Sequence, residues 1–327
     1  MAGFGTRMRP HTWSKPKPLV SVAGKAILGH VLDSFQSAPH AEQAEIVFIV
    51  GYLGEQVEAY MASQHPDIKA HFVEQRELLG QSHALAQARK YLEGPTLIVF
   101  VDTLIDADYS FLAKEDADAV IWVKAVDDPR RFGVVDVGDD GLVRGLIEKP
   151  DSMENNLAIV GIYYFKKGED LLASIDEQIA NHVQSKNEFF LADAIDMMLK
   201  KGLRLRAKNV EQWLDAGLPE TVLESNRLLL AQGSANSGTV QLGVGNTISE
   251  AVFIHPDAQI EDSIIGAGVT ISAGCVIKNS EISDSILEKD AKVENSKLKA
   301  SIIGERCQVI DFEGQLYIGD DSRISGS

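Results

Sequence analysis

The sequence is poor in cysteine, in long apolar runs and in positive charge. Cys275 and Cys307 are the only two cysteines in 327 residues. They are too few for a disulfide framework and too far apart for a zinc knuckle, so both read as buried small apolar residues. No stretch of about 18 apolar residues occurs, which argues against a membrane span. Arg7 and Arg9 follow a glycine-rich start with no secretory apolar core, so the chain reads as cytoplasmic. With 31 Lys and Arg against 48 Asp and Glu, a formal charge of −17 makes nonspecific nucleic-acid binding a poor fit.

The shortage of positive charge is uneven. Arg7, Arg9, Lys15, Lys17 and Lys25 all precede the first acid, Asp33, so residues 1–32 carry +5 and the other 295 carry −22. A basic island in an acidic chain points to a small anionic ligand.

Alternating helical and strand patterns follow up to about residue 236 and predict an α/β domain over residues 1–236. Strands are expected at 45–50, 69–74, 96–101, 119–125, 142–148 and 157–165, and helices at 25–37, 54–64, 80–91, 169–181, 188–200 and 219–231. Fully apolar strands such as Ile46-Val47-Phe48-Ile49-Val50 read as covered on both faces, as in a parallel sheet. A short polar linker with Ser234, Asn236, Ser237 and Gly238 comes next.

Over residues 237–327 the texture changes. Aliphatic residues recur about every six positions, at Ile254, Ile260, Ile265, Ile271 and Ile277, then more loosely through Ile286, Val293, Ile303 and Val309. Small residues fill the steps between them. This is the mark of a parallel β-helix, and the segment resembles the left-handed β-helix of hexapeptide-repeat proteins. With 18-residue coils, the 32-residue gap between Cys275 and Cys307 should keep them out of one stack.

The segment "MAGFGTRMRPHTWSKPKPLVSVAGKAIL" carries the densest chemistry. Gly3 and Gly5 allow the backbone to wrap a phosphate chain, Thr6 and Arg7 add side-chain donors, and Lys17 sits braced by Pro16 and Pro18. A P-loop is ruled out because no G-x-x-x-x-G-K-[ST] is present. A dinucleotide fold is ruled out because the third glycine and the following acid are missing.

These residues resemble the signature of the nucleoside triphosphate:sugar-1-phosphate nucleotidyltransferases, and the resemblance runs over essentially the whole chain. It implies a Rossmann-like, mostly parallel sheet followed by the β-helix, with a nucleoside triphosphate and a sugar 1-phosphate as substrates and Mg2+ as cofactor. Gly3, Gly5, Thr6 and Arg7 would hold the triphosphate, and Lys17 would stabilise charge at the reacting phosphates. "EQRELLGQSHALAQA" resembles the base-recognition segment, with Gln75 on the base and Gly80 letting the backbone approach it. Asp102 in "FVDTLI" and Asp215 in "WLDAGLPETVLESN" would ligate the metal. On the sugar side, Gly133 leaves room for the ring, Glu148 accepts from its hydroxyls, Lys149 pairs with the sugar phosphate and Gly161 lies close to the sugar. "NEFFLADAI" resembles a later helix motif with Glu188 and Asp193, for which acids at a helix N-terminus are an adequate structural account.

Two departures stand out. Val101 replaces the usual glycine before the metal-binding aspartate. The apolar strand expected just before the glycine loop is absent from a chain that begins at Met1. The expectation is an unpaired gap in the sheet, a natural start upstream and lower stability than a form carrying that strand. Thymidylyl or uridylyl transfer to glucose 1-phosphate is the favoured reading. Guanylyl transfer to mannose 1-phosphate, a bifunctional nucleotidyl- and acyltransferase, and a regulatory subunit with weakened catalysis are the alternatives. His255 is the only histidine of the repeat region, which leaves later coils without a general base and favours a role in homo-oligomer assembly.

Overall fold

The structure is a computed structural model and describes residues 1, 3–105, 107–239 and 245–326. It divides into two compact units that are not sequential. Met1–Gly3 and Leu32–Trp213 form one, and Phe4–Val31 and Leu214–Ser327 form the other.

The first unit is a mixed α/β core. Its six-stranded sheet runs Leu205–Asn209, Ala119–Ala125, Leu157–Phe165, Gly133–Val137, Val143–Glu148, and Thr96–Val99 also pairs with Leu157–Phe165. Leu205–Asn209 is parallel to Ala119–Ala125, and the long strand Leu157–Phe165 is antiparallel both to Ala119–Ala125 and to Thr96–Val99. Leu205–Asn209, Ala119–Ala125, Thr96–Val99 and Gly133–Val137 therefore run one way, and Leu157–Phe165 and Val143–Glu148 the other.

The strand Ala119–Ala125 shows why apolar runs form here. Ala119, Ile121 and Val123 face a core with Leu171 and Ile175 of helix Gly168–Ala180 and Leu191, Ile195 and Met198 of helix Leu191–Lys200. Val120 and Trp122 alternate to the other face and pack with Tyr109, Leu112, Val160, Ile162 and Val210. Burying each large side chain in this way contributes about 1.5–3 kcal/mol.

Strand Ile46–Val50 pairs in parallel with Ala70–Glu74 in a separate two-stranded sheet. Among the described residues no strand joins that pair to the six-stranded sheet. In the six-stranded sheet two strands were not foreseen, Gly133–Val137 and Leu205–Asn209. The latter is an edge strand whose charged residues break the apolar pattern, and Arg206 there pairs with Glu115 and Asp116.

In the second unit, residues from Thr247 onward wind into a parallel β-solenoid of three five-stranded sheets. Aliphatic side chains stack inside it, including Ile277, Val293 and Val309, all fully buried. Ile277 registers with Val293 and Val293 with Val309, so these coils are 16 residues long rather than 18. Val276, Lys292 and Gln308 are likewise in register, which aligns the residues before them, Cys275, Ala291 and Cys307, in one column. The two cysteines do stack, contrary to the sequence expectation, with Ala291 between them. Both thiols are free and buried.

Tight corners account for the shorter coil. Asp262, Asn279 and Asn295 take left-handed backbone angles, which Asn and Asp tolerate better than other side chains. Each is followed by a serine that ties two coils together. The Ser280 hydroxyl donates to the Lys278 carbonyl at 2.6 Å and accepts the Ser296 N–H of the next coil at 3.1 Å. Ser296 repeats this with the Glu294 carbonyl and the Phe312 N–H.

Ser280 is 5% exposed, so Ser280→Ala leaves a buried N–H without its acceptor. The expected loss is about 1–3 kcal/mol of stability, read as a lower urea midpoint. An unchanged midpoint would show that the corner serines are dispensable.

Candidate active site

On the sugar side of the predicted site, strand pairing does the positioning. Gly133 is in register with Glu148. A Cβ on Gly133 would come 2.9 Å from Glu148 Oε2, so the carboxylate fills the room that a side chain would take. Lys149 follows in a left-handed conformation, φ 47°, and its N–H donates to the Phe132 carbonyl at 2.9 Å. Its ammonium lies 3.7 Å from Glu148 Oε1 and 4.4 Å from the ring centre of Phe190, a cation over an aromatic face. Gly133, Glu148 and Lys149 are thus brought together.

Burial raises the Glu148 carboxyl above the ordinary range; Lys149 pulls it back and Asp193 pushes it further up. Asp193 lies in the first turn of Leu191–Lys200. Burial raises its carboxyl too, and its Oδ2 has no hydrogen-bond partner among the described residues. Glu188 falls outside that helix, which begins at Leu191 rather than 188. Residues 188–190 are extended, with Glu188 bridged to Ser185. A helix N-terminal role therefore fits Asp193 and not Glu188.

The base-recognition segment is built around Gly80, whose φ of 109° prevents the helix from starting there; it begins at Gln81. A Cβ on Gly80 would lie 2.6 Å from the Phe189 carbonyl oxygen. This close approach lets the Ser82 N–H and the Phe189 N–H bridge the two loops, the former to Phe189 O at 3.0 Å and the latter to Leu79 O at 2.9 Å. Gln75 is buried and its amide donates to the Gly80 carbonyl at 3.1 Å, with His83 Nδ1 at 3.2 Å. "GQSHALA" and "NEFFLA" are therefore stitched to each other, a link that no motif spacing announces.

Asp102 does not end a long strand. Thr96–Val99 stops early, and Asp102 occupies a turn before Thr103–Ile105. That turn is set by Gly161, φ 86°, where the register of Leu157–Phe165 slips between Ile159 and Tyr163. The Gly161 carbonyl accepts the Phe100 N–H at 2.9 Å, and the Thr103 hydroxyl donates to Val160 O at 2.5 Å. Gly161 is packed against Phe100 and Thr103, the turn that carries Asp102.

Gly3 lies in the first unit with all the residues above; Gly5, Thr6, Arg7, Lys17 and Asp215 lie in the second. Gly5 takes a left-handed turn, φ 59°, fixed by the Thr12 hydroxyl donating to its carbonyl at 2.8 Å. Thr6 and Arg7 follow in a short helical turn with Arg7 exposed. Lys17 opens a second short turn at the two prolines and is half-buried. Beside Asp215, a Cβ on Gly217 would come 2.8 Å from Oδ1, a cradle kept open at a carboxylate. Among the described residues no group of three or more His, Cys, Asp and Glu could hold a metal. A carboxylate is the kind of donor that a hard divalent cation takes while it keeps waters and substrate phosphates, and Asp102 and Asp215 each offer one.

Sequence reasoning missed Lys15, which it counted among the ligand-facing cations. Lys15 is buried against Glu288 and Glu305. It also missed Asn226, fully buried and accepting from the Ala23 N–H at 2.7 Å. The acids that face Lys15, and Ala23 that faces Asn226, lie more than 200 positions away in sequence, so no local signal could have found these links.

A mixed α/β core, with glycines that leave room at Glu148 and at the Asp102 turn, followed by a parallel β-solenoid, belongs with a class of nucleotide-transferring enzymes. The nucleotidyl transferase family matches residues 1–232, and the chain belongs to it. Glucose-1-phosphate thymidylyltransferase of Streptomyces griseus is 27% identical over a 352-residue alignment that covers 98% of this chain and 96% of that one. The bifunctional protein GlmU of Methanocaldococcus jannaschii is 31% identical over 339 residues, 94% of this chain and 76% of that protein. In fold, the chain is similar to UDP-glucose pyrophosphorylase complexed with UDP-glucose, with a TM-score of 0.60 at 19% identity over 71% of this chain and 96% of that one. Enzymes of this family act on a nucleotide and a sugar phosphate. No helix among the described residues is long and apolar enough to cross a membrane.

The raised Glu148 carboxyl has a consequence for stability. A carboxyl with its folded pKa above the unfolded value contributes stability at low pH that is lost as pH rises through the folded pKa. Glu148→Gln does not titrate, so its melting temperature should gain on wild type as pH rises above the ordinary glutamate pKa of about 4.3. A difference independent of pH would contradict the assigned burial.

Proposed function

We propose that the protein condenses a nucleoside triphosphate, dTTP or UTP, with glucose 1-phosphate to give a nucleotide-sugar and pyrophosphate. The observation that carries this reading is the pairing of Glu148, seated in the space of Gly133, with Lys149 held beside it over Phe190. A carboxylate acceptor next to a fixed cation suits a sugar that bears a phosphate. The relative named glucose-1-phosphate thymidylyltransferase supports the choice of base and sugar.

The reaction is an in-line displacement at the α-phosphorus. An oxygen of the sugar phosphate forms the new P–O bond while the bond to pyrophosphate breaks. Both reactants are anions, so their repulsion is the barrier. Arg7 and Lys17 neutralise the triphosphate and Lys149 the sugar phosphate, as fixed charges that need no reorganisation in the transition state. The phosphate nucleophile is already deprotonated and needs no general base. Gln75 hydrogen-bonds the base, with the Gly80 backbone alongside. Asp102 and Asp215 are each proposed as carboxylate ligands for Mg2+, which would add charge compensation at the phosphates. No acyl transfer is proposed for the solenoid, where His255 pairs with Asp257 in an early coil. Homo-oligomer assembly is its proposed role.

Lys17→Ala should lower kcat/KM for the nucleoside triphosphate, read as pyrophosphate release, by about 10²- to 10³-fold; wild-type turnover would refute the role of Lys17. Full activity in Asp102→Asn would do the same for the metal pair, and a panel of four nucleoside triphosphates against glucose 1-phosphate and mannose 1-phosphate tests the specificity. Light scattering should give a multiple of the 35.6 kDa chain mass, and a monomer would overturn the assembly role.

A further inference from the structure

The segment that carries Gly5, Arg7 and Lys17 is fastened along one side of the solenoid. Pro10 packs where a Cβ on Gly319 would come within 3.1 Å. The Ser14 hydroxyl donates to Asp320 Oδ2 at 2.6 Å. Lys15 Nζ lies 2.6 Å from Glu305 Oε1 and 3.3 Å from Glu288 Oε2. The Ser21 N–H donates to the other Glu288 oxygen at 3.1 Å, and Phe253 covers Gly24. Moving forward through residues 10–24, the contacts pass from the last coil of the solenoid back to the first.

Glu288 is not needed by its own coil. Leu287 registers with Ile303 and Ile303 with Ile318, so the equivalents of Glu288 one and two coils on are Gly304 and Gly319. An acid at that corner costs desolvation and serves an external partner. Burial alone would lower the Lys15 ammonium pKa, but Glu288, Glu305 and Asp320 together outweigh it and hold Lys15 charged. Burial raises the Glu288 carboxyl against the pull of Lys15. A buried ion cluster of this kind adds little net stability, and its best-attested use is to fix register. The register fixed here is that of Lys17, two residues on across Pro16, whose ring restricts the intervening backbone.

We infer that Lys15, Glu288 and Glu305 are positioning residues for nucleotidyl transfer, a lock through which the solenoid sets the triphosphate-facing loop. This rests on the proposed role of Arg7 and Lys17; the three residues themselves touch each other and the loop, not substrate. The solenoid is then part of the catalytic apparatus as well as a tail.

The test uses the full chain as wild type, Lys15→Met, Glu305→Gln and the triple variant K15M/E288Q/E305Q. Lys15→Met should raise KM for the nucleoside triphosphate about tenfold, the worth of a coupling near the middle of the usual range. KM for the sugar 1-phosphate should stay within about twofold, and backbone hydrogen exchange in residues 5–20 should accelerate while residues 276–310 remain protected. The triple variant removes the unpaired buried acids, so its melting temperature should return towards wild type while the raised triphosphate KM persists. A triple variant with both values at wild type would reduce the lock to a structural contact and overturn the inference, as would unchanged exchange of residues 5–20 in Lys15→Met. If Lys15→Met does not fold, Glu305→Gln, whose side chain is 27% exposed, carries the same two readouts with smaller shifts, and wild-type values there would refute the inference. A wild-type chain inactive towards every sugar phosphate would refute the functional reading instead, leaving the exchange measurement to decide the lock alone.

Discussion

The slipped register of the strand Leu157–Phe165 is the constraint on which the first unit depends. Before the slip, Ala158 pairs with Val134 of the strand that also carries Gly133. After it, Ile162–Phe165 pair with Thr96–Val99. One irregular step at Gly161 therefore aligns the Glu148 pocket on one side and the Asp102 turn on the other. A straight strand would hold one register along its whole length and could not serve both partners; the slip takes four residues here against two on Ala119–Ala125, which keeps the alternation of side chains. The bulge resolves that conflict at the cost of a position that only glycine fills easily.

Apolar runs were readable because both sheet faces are covered. Ala119–Ala125 and Leu157–Phe165 match their predicted bounds, since burial on each side leaves no polar residue to blur the ends. Helix starts were misplaced wherever backbone geometry, invisible in residue type, decides them. Gly80, the extended residues 188–190 and Lys25–Ala26, a strand paired with Ser21–Val22 where a helix start was expected, are the cases. In the solenoid the aliphatic period was legible but the coil length was not, because corners built on Asp, Asn and Ser save residues that a strict six-residue count includes. Among the candidate site residues, glycines and acids stood out in order along the chain. Lys15 did not, because the meaning of a lysine depends on the charge opposite it, and that charge arrives 273 and 290 residues later.

The basic start of an acidic chain has two uses rather than one. Part of it suits substrate phosphates, and part answers acids elsewhere in the same unit. Net charge by segment cannot separate these, because an ion pair within the fold and a site for an anion leave the same imprint on composition. Desolvation separates them: Lys15 is buried whereas Arg7 is exposed.

The column Cys275, Ala291, Cys307 bears on how the protein can be handled as a reagent. Neighbouring strands are about 4.8 Å apart, so thiols two coils apart cannot reach each other to form a disulfide. Burial pushes the Cys275 thiol up to about 12 and raises that of Cys307 as well, which keeps both as unreactive thiols. The folded chain is therefore chemically silent towards maleimides, and one cysteine introduced at an exposed position becomes a unique handle for a dye or spin label without removal of the native pair.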